Sequence, residues 1–184
     1  MKITSVLAAI FISSVVFGSI SEEKILTNDR SSAQLMTDIY LAGPLFTVAE
    51  RAFNAALAKE LRRLGYSVFL PQEGEPREVT AKAIFEMDLK GIDDARLVVA
   101  MLDGPDPDSG TSWECGYAYA KGKPIIAVRT DFRGIGESGL SPYNLMLSES
   151  AVSRVQLSSL ECDLSSVVSA IHRQLESLRV QLRE

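Results

Sequence analysis

One histidine and two cysteines are all that this chain of 184 residues holds of the two side-chain types that most often bind metals or relay protons. His172 stands in a polar stretch near the end, where it reads as a solvated helix position. Unless it serves, no Ser-His or Cys-His pair can form. Cys115 and Cys162 supply neither a metal-ligand cluster nor a disulfide framework, and at most a single bridge. Basic runs are missing too. The 19 Lys and Arg are outnumbered by 24 Asp and Glu, for a formal charge of −5. Without a cationic stripe to track phosphates, the composition argues against nucleic acid and anionic membrane as partners. No internal repeat is visible. Asp103, Asp106 and Asp108 cluster in one loop, but their spacing does not match a Ca²⁺-binding loop, so no metal is expected there. Acid–base chemistry is left to carboxylates.

What is present is a core. Apolar residues make up 46% of the sequence, enough for one domain. Residues 1–35 differ from the rest. Met1-Lys2 precedes an uncharged run from Val6 to Ile20 that ends near Gly18 and Ser19, the pattern of a secretory signal and short for a membrane span. Ser21 to Gln34 reads as a polar linker. Met36, just before the first strand-like run, gives the competing reading of a true start. The first reading implies a secreted or periplasmic protein, the second a cytoplasmic one, with residues 36–184 as the domain in both.

From Asp38 onward strands and helices alternate. Ile39–Ala42 reads as a strand closed by Gly43-Pro44. Phe46, Ala49, Phe53, Leu57, Leu61 and Leu64 recur at helical spacing up to Gly65. Ser67–Leu70 is a second strand, Thr80–Asp94 a helix, and Leu97–Leu102 a fully apolar strand of the kind covered on both faces. A helix follows over Thr111–Lys121, then a strand over Pro124–Val128, a long loop to Tyr143, a weak fifth strand near Ala151–Val155 and a helix over Leu164–Leu182. Such alternation predicts an α/β fold with a doubly wound, parallel, five-stranded sheet and flanking helices. Ligands then bind beyond the carboxyl ends of the strands, where the loops after Leu102 and Val128 lie.

Two carboxylates stand out. Glu114 sits near the start of the 111–121 helix, beside the small residues Gly110, Gly116, Ala118 and Ala120. Helix dipole and free amides there favour an ionised carboxylate, as a glycosyl nucleophile requires; a solvated first-turn glutamate is the alternative. Asp88 interrupts the apolar stripe Ala81, Ile84, Ile92, Ala95. A carboxylate in such a stripe is costly unless paired or working. It is either salt-bridged to Lys82, Lys90 or Arg96, or it lines a pocket with a raised pKa as a proton donor.

These motifs resemble the nucleoside 2-deoxyribosyltransferase family. Ile39-Tyr40-Leu41-Ala42-Gly43-Pro44-Leu45-Phe46 looks like its opening strand and loop, and Asp88-Leu-Lys-Gly-Ile-Asp-Asp-Ala like its second acidic motif. Asp108-Ser-Gly-Thr-Ser-Trp-Glu114-Cys-Gly-Tyr-Ala is similar to its catalytic signature, and Asn144-Leu145-Met146 to the segment that reaches a neighbouring subunit. Together they span roughly Asp38 to Met146 in the right order. The resemblance implies a flavodoxin-like fold. It also implies Glu114 as nucleophile, Tyr40 as the hydroxyl that orients it, and Asp88 facing the base with Gln72. Asp108 would hold the sugar 5′-hydroxyl, Gly43 and Phe46 would form the first loop and pocket wall, and Asn144 and Met146 would complete a neighbour's site in a homo-oligomer. The implied reaction exchanges bases on 2-deoxyribose through a covalent sugar–Glu114 intermediate, without a cofactor, on deoxynucleosides and free bases. Two alternatives remain. A 2′-deoxynucleoside 5′-monophosphate N-glycosidase would need a phosphate cradle in the first loop, and Gly43–Thr47 is apolar and lacks Arg. A non-catalytic nucleoside-binding module would not need Glu114, Asp88 and Asp108 together. The leader and the long C-terminal helix depart from the family's compact pattern.

Overall fold

The computed structural model describes residues 37–181, apart from 77, 135, 138, 139, 158, 159 and 161. The apolar run and linker read at the N-terminus lie outside the described residues. Five strands form one all-parallel sheet in the order β2-β1-β3-β4-β5: β1 Thr37–Ala42, β2 Val68–Phe69, β3 Ala95–Met101, β4 Ile125–Arg129 and β5 Ser153–Gln156. This is the doubly wound arrangement expected, with the order of flavodoxin-like sheets. β3 is central and buried along almost its whole length, so an unbroken apolar run is what the position demands.

Helices cover both faces. α1 (Val48–Arg63) and α5 (Leu164–Gln181) pack on one core with Leu57, Leu61, Val167, Ile171 and Leu175. α2 (Ala81–Asp94) and α3 (Ser109–Ala120) enclose the other, around Tyr40, Ile92, Val98 and Ala118. A short α4 (Leu145–Ser150) adds Leu147 to that second core. Local chemistry sets the ends. Thr47 caps α1 in a reciprocal box with Glu50, which stabilises by about 1 kcal/mol. Thr80 caps α2 and Asp108 caps α3. Gly65, at φ +93°, turns the chain after α1. Gly91 is dictated by packing, since a Cβ there would lie 2.7 Å from the Phe69 ring.

Three departures from the sequence reading have physical causes. β4 runs on to Arg129, a charged residue at 1% exposure. Its guanidinium donates to the carbonyls of Leu102 (2.6 Å), Gly104 (3.0 Å) and Arg133 (3.0 Å), so the charge is solvated by backbone. His172 is packed rather than solvated, with Nδ1 2.8 Å from the Tyr66 hydroxyl. The α3 helix starts at Ser109, two residues earlier than its spacing predicts, because Asp108 accepts a bond from Thr111 N at 2.8 Å. Cys115 and Cys162 are both free. Among the described residues no helix is long and apolar enough to cross a membrane.

Candidate active site

The strand order reverses between β1 and β3, so the loops after these two strands diverge and leave a crevice at the carboxyl edge. Tyr40, one residue from the centre of β1, points onto the α2–α3 face and is fully buried. Its hydroxyl donates to Glu114 Oε1 at 2.6 Å. Glu114 opens onto a cleft of about 310 Å³ lined by Phe85, Asp88, Leu89, Ile92, Gly110 and Trp113. Two carboxyl groups from different helices therefore share one largely apolar recess.

Among the described residues Asp88 has no salt-bridge partner. Lys82 pairs with Glu86, Lys90 with Asp94 and Arg96 with Asp38, and Asp88 Oδ1 is buried without a hydrogen-bond partner. Burial pushes its pKa up to about 6. Glu114 behaves differently from the sequence reading. It is the sixth residue of α3, beyond the first turn where the dipole acts, and burial raises its pKa to about 7. The Tyr40 hydrogen bond opposes that rise, while the neighbouring Asp88 and Asp108 charges add to it. Tyr40 itself is held far above the usual phenol range by burial and by the Glu114 carboxylate, so it remains a donor. Cys115, next in sequence, faces the core and is pushed up to about 12 by burial, which makes it an inert thiol.

Asp108 stands six residues before Glu114. Its Oδ2 accepts from Thr111 N (2.8 Å) and Thr111 Oγ1 (3.0 Å), which fixes the carboxylate at the start of α3. Gly110 keeps this corner open: a Cβ there would come within 3.1 Å of Asp108 Oδ2, so the carboxylate would have to shift. Gly116, by contrast, borders open space.

Other candidates lie elsewhere. Gln72 donates Nε2 to Arg51 O at 2.9 Å, and its Oε1 is buried without a partner, away from the cleft lining. Gly43 is buried under close approach of the Met101 and Asn54 side chains, and Phe46 is 72% exposed outside the cleft. The first loop is instead tied to α1. Glu50 Oε2 accepts from Phe46 N and Thr47 N, Arg51 donates to Leu45 O and Phe46 O, and Asn54 donates to Pro44 O. Asn144 caps α4 through Oδ1 to Met146 N. Met146 is 73% exposed on a second groove lined by Ser112, Gly116 and Tyr119, on another side of α3. Within one chain, then, Tyr40, Asp88, Asp108 and Glu114 are gathered, whereas Gln72, Gly43, Phe46, Asn144 and Met146 are not on the cleft. Phe85, Leu89 and Trp113, which do line it, were missed; a lone tryptophan beside the candidate nucleophile was the available signal. Among the described residues no group of three or more His, Cys, Asp or Glu is placed to hold a metal ion.

Comparison with known proteins places this geometry. The family profile described as nucleoside 2-deoxyribosyltransferase matches residues 39–146. No curated protein matches the chain. Among solved structures, a conserved protein from Enterococcus faecalis is 30% identical, with a TM-score of 0.59 over 76% of this chain and 99% of that one. The 2-deoxyribosyltransferase of Bacillus psychrosaccharolyticus is 28% identical, with a TM-score of 0.55, covering 75% of this chain and 95% of that one. The 2-deoxyribosyltransferase from Leishmania mexicana is 25% identical, with a TM-score of 0.56, covering 76% and 97%.

Proposed function

The chain belongs to the nucleoside 2-deoxyribosyltransferase family, and on that premise we propose that it transfers 2-deoxyribose from a deoxynucleoside to a second base through Glu114. The observation that carries the proposal is the Tyr40–Glu114 hydrogen bond of 2.6 Å inside a cleft shared with an unpaired Asp88. Tyr40 fixes Oε1 and leaves Oε2 as the attacking atom. As Oε2 bonds to C1′, the C1′–N bond breaks, its electron pair passes to the base, and Asp88 supplies the proton. A second base then attacks C1′, returns the electron pair to Glu114 and gives its proton to Asp88. Two inversions at one carbon give retention. In this reading Asp108, six residues toward the helix start, holds the 5′-hydroxyl of a sugar lying along the first turns of α3. The apolar lining of the cleft disfavours bulk water, which keeps transfer ahead of hydrolysis.

The first loop favours a nucleoside over a 5′-phosphorylated substrate. Its amides at Phe46 and Thr47 are already satisfied by the Glu50 carboxylate, and Arg51 is bound to loop carbonyls. The Phe46 and Thr47 amides and Arg51 Nη1 are thus already engaged, which disfavours a phosphate there.

Asn144 and Met146 reach a nucleoside only if another copy brings them, because α4 lies off the chain's own cleft. We therefore read the functional protein as a homo-oligomer with these residues acting on a neighbour's site. The deciding experiment is incubation with deoxyinosine and free adenine followed by chromatography. Deoxyadenosine is the expected product. Hypoxanthine with free deoxyribose and no deoxyadenosine would assign hydrolysis, and no turnover at all would leave only binding.

A further inference from the structure

An aromatic ladder runs along one wall of the cleft. Trp113 stacks on Tyr117 with ring centroids 5.5 Å apart and planes 8° from parallel. Phe85, from α2, tilts against the indole at 5.4 Å and 59°. Lys121 backs the ladder, its Nζ 5.0 Å from the Tyr117 ring, and Tyr117 is anchored by hydrogen bonds to Asp93. Trp113 is thus held in place from behind, yet it is 50% exposed and Phe85 48% exposed, and both line the cleft that holds Glu114 and Asp88.

Large aromatic surface left open beside two carboxyl groups calls for a flat, π-rich occupant. The group bonded to the carbon that Glu114 attacks must lie in this same recess. We propose that Phe85 and Trp113 form the nucleobase subsite and that it selects purines over pyrimidines. This rests on the deoxyribosyl-transfer reading of the site. Selection follows from area: dispersion and quadrupole attraction scale with stacked surface, and a fused two-ring base covers more of the indole and phenyl faces than a single ring. Leu89 and Ile92 extend the apolar floor and offer no hydrogen bond that would favour one base edge.

Trp113 is the sole tryptophan, so its fluorescence reports the subsite directly. Full-length protein is titrated with deoxyadenosine, deoxycytidine, adenine and cytosine, and KM and kcat are measured for both nucleosides. Purine compounds are expected to quench Trp113 saturably and to bind roughly tenfold tighter than their pyrimidine counterparts, within the range of a base–aromatic stack. Phe85→Leu keeps the fluorophore and should raise the deoxyadenosine KM about tenfold. Tyr119→Leu, an aromatic change on the same helix but off this cleft, should leave that KM unchanged. Rescue of Phe85→Leu affinity by Phe85→Tyr, which restores a ring, is expected. Equal use of purines and pyrimidines, or quenching that follows protein concentration instead of added base, would overturn the subsite; the latter would mark the ladder as a contact between copies. Saturable purine quenching without turnover would uphold the subsite and refute the transfer reading, so the two can fail separately.

Discussion

On the proposed mechanism Glu114 must be charged to attack, yet burial makes charge unwelcome there, and this opposition would set the pH dependence of turnover. Attack needs Glu114 ionised, with a pKa of about 7, while base departure needs Asp88 protonated, at about 6. The productive pair is therefore most populated between those values, and a bell-shaped kcat/KM profile centred near pH 6.5 is expected, its limbs belonging to the coupled pair. Asp88→Asn leaves Glu114 as the one titrating group of the pair, so the basic limb should disappear while kcat falls. A parental profile rising without limit above pH 8 would refute this assignment. Stability carries the same signature with its own sign. Since the folded pKa of Glu114 exceeds the ordinary 4.5, its contribution is present below about 4.5 and lost as pH rises through about 7. Glu114→Gln keeps an acceptor for Tyr40 and abolishes turnover. At pH 8 it should also stabilise the fold, by about 3 kcal/mol at most, with little difference at pH 4. Urea midpoints at the two pH values check it. At this scale Asp88 was legible because it breaks an apolar stripe. The raised pKa of Glu114 was not, because it comes first from burial by tertiary packing and then from charges that include Asp88 on α2, which is remote from it in sequence.

The elements were legible where periodicity was strong. β1, α1, α2, β3 and α5 follow from apolar spacing, and the strand–helix alternation gives the parallel sheet. What escaped was the stitching of the two loops at the carboxyl edge. Arg129 binds three carbonyls across them. Asp103 accepts from Thr130 N at 2.6 Å and Asp131 N at 2.9 Å, and Asp131 accepts from Gly104 N at 3.2 Å. Apart from the Arg129–Arg133 bond, this network joins residues 25 or more apart and has no period to reveal it. The acids that suggested a cation in the sequence are in part loop ties. Arg129→Met removes the donors and leaves buried carbonyls unpaired, so a loss of roughly 3 kcal/mol is expected. Arg129→Lys, which restores one cluster of donors, should recover part of it. Denaturant melts of both variants test this, and a Met variant as stable as the parent would show that the loops hold without the guanidinium.

At the scale of the whole molecule, the question is whether one chain makes a complete site. The sequence pointed to Asn144 and Met146 only through resemblance, and neither lines the Glu114 cleft of its own chain, so on the proposed reading a neighbour would use them. Large apolar side chains exposed along α2 and α4, Ile84 and Met146 among them, are the kind of surface that a second copy covers. A two-fold arrangement would let each chain complete the other's cleft through one self-complementary contact. Testing it requires a variant that spares α4. Asn144 Oδ1 caps that helix, so Asn144→Ala would cost about 1 kcal/mol and confuse folding with function. Asn144→Asp keeps the capping oxygen, replaces the amide donor available to a sugar hydroxyl and adds a negative charge that a helix N-terminus tolerates. It should fold as well as the parent and lose most of its turnover. Mixing Asn144→Asp with Glu114→Gln, each nearly inactive alone, should then restore about a quarter of the parental activity, because random exchange makes half the dimers mixed and each mixed dimer has one intact site. Sedimentation establishes the assembly, and native mass spectrometry confirms that subunits have exchanged. A fully active monomer, or no recovery after verified exchange, would show that each chain's cleft works alone.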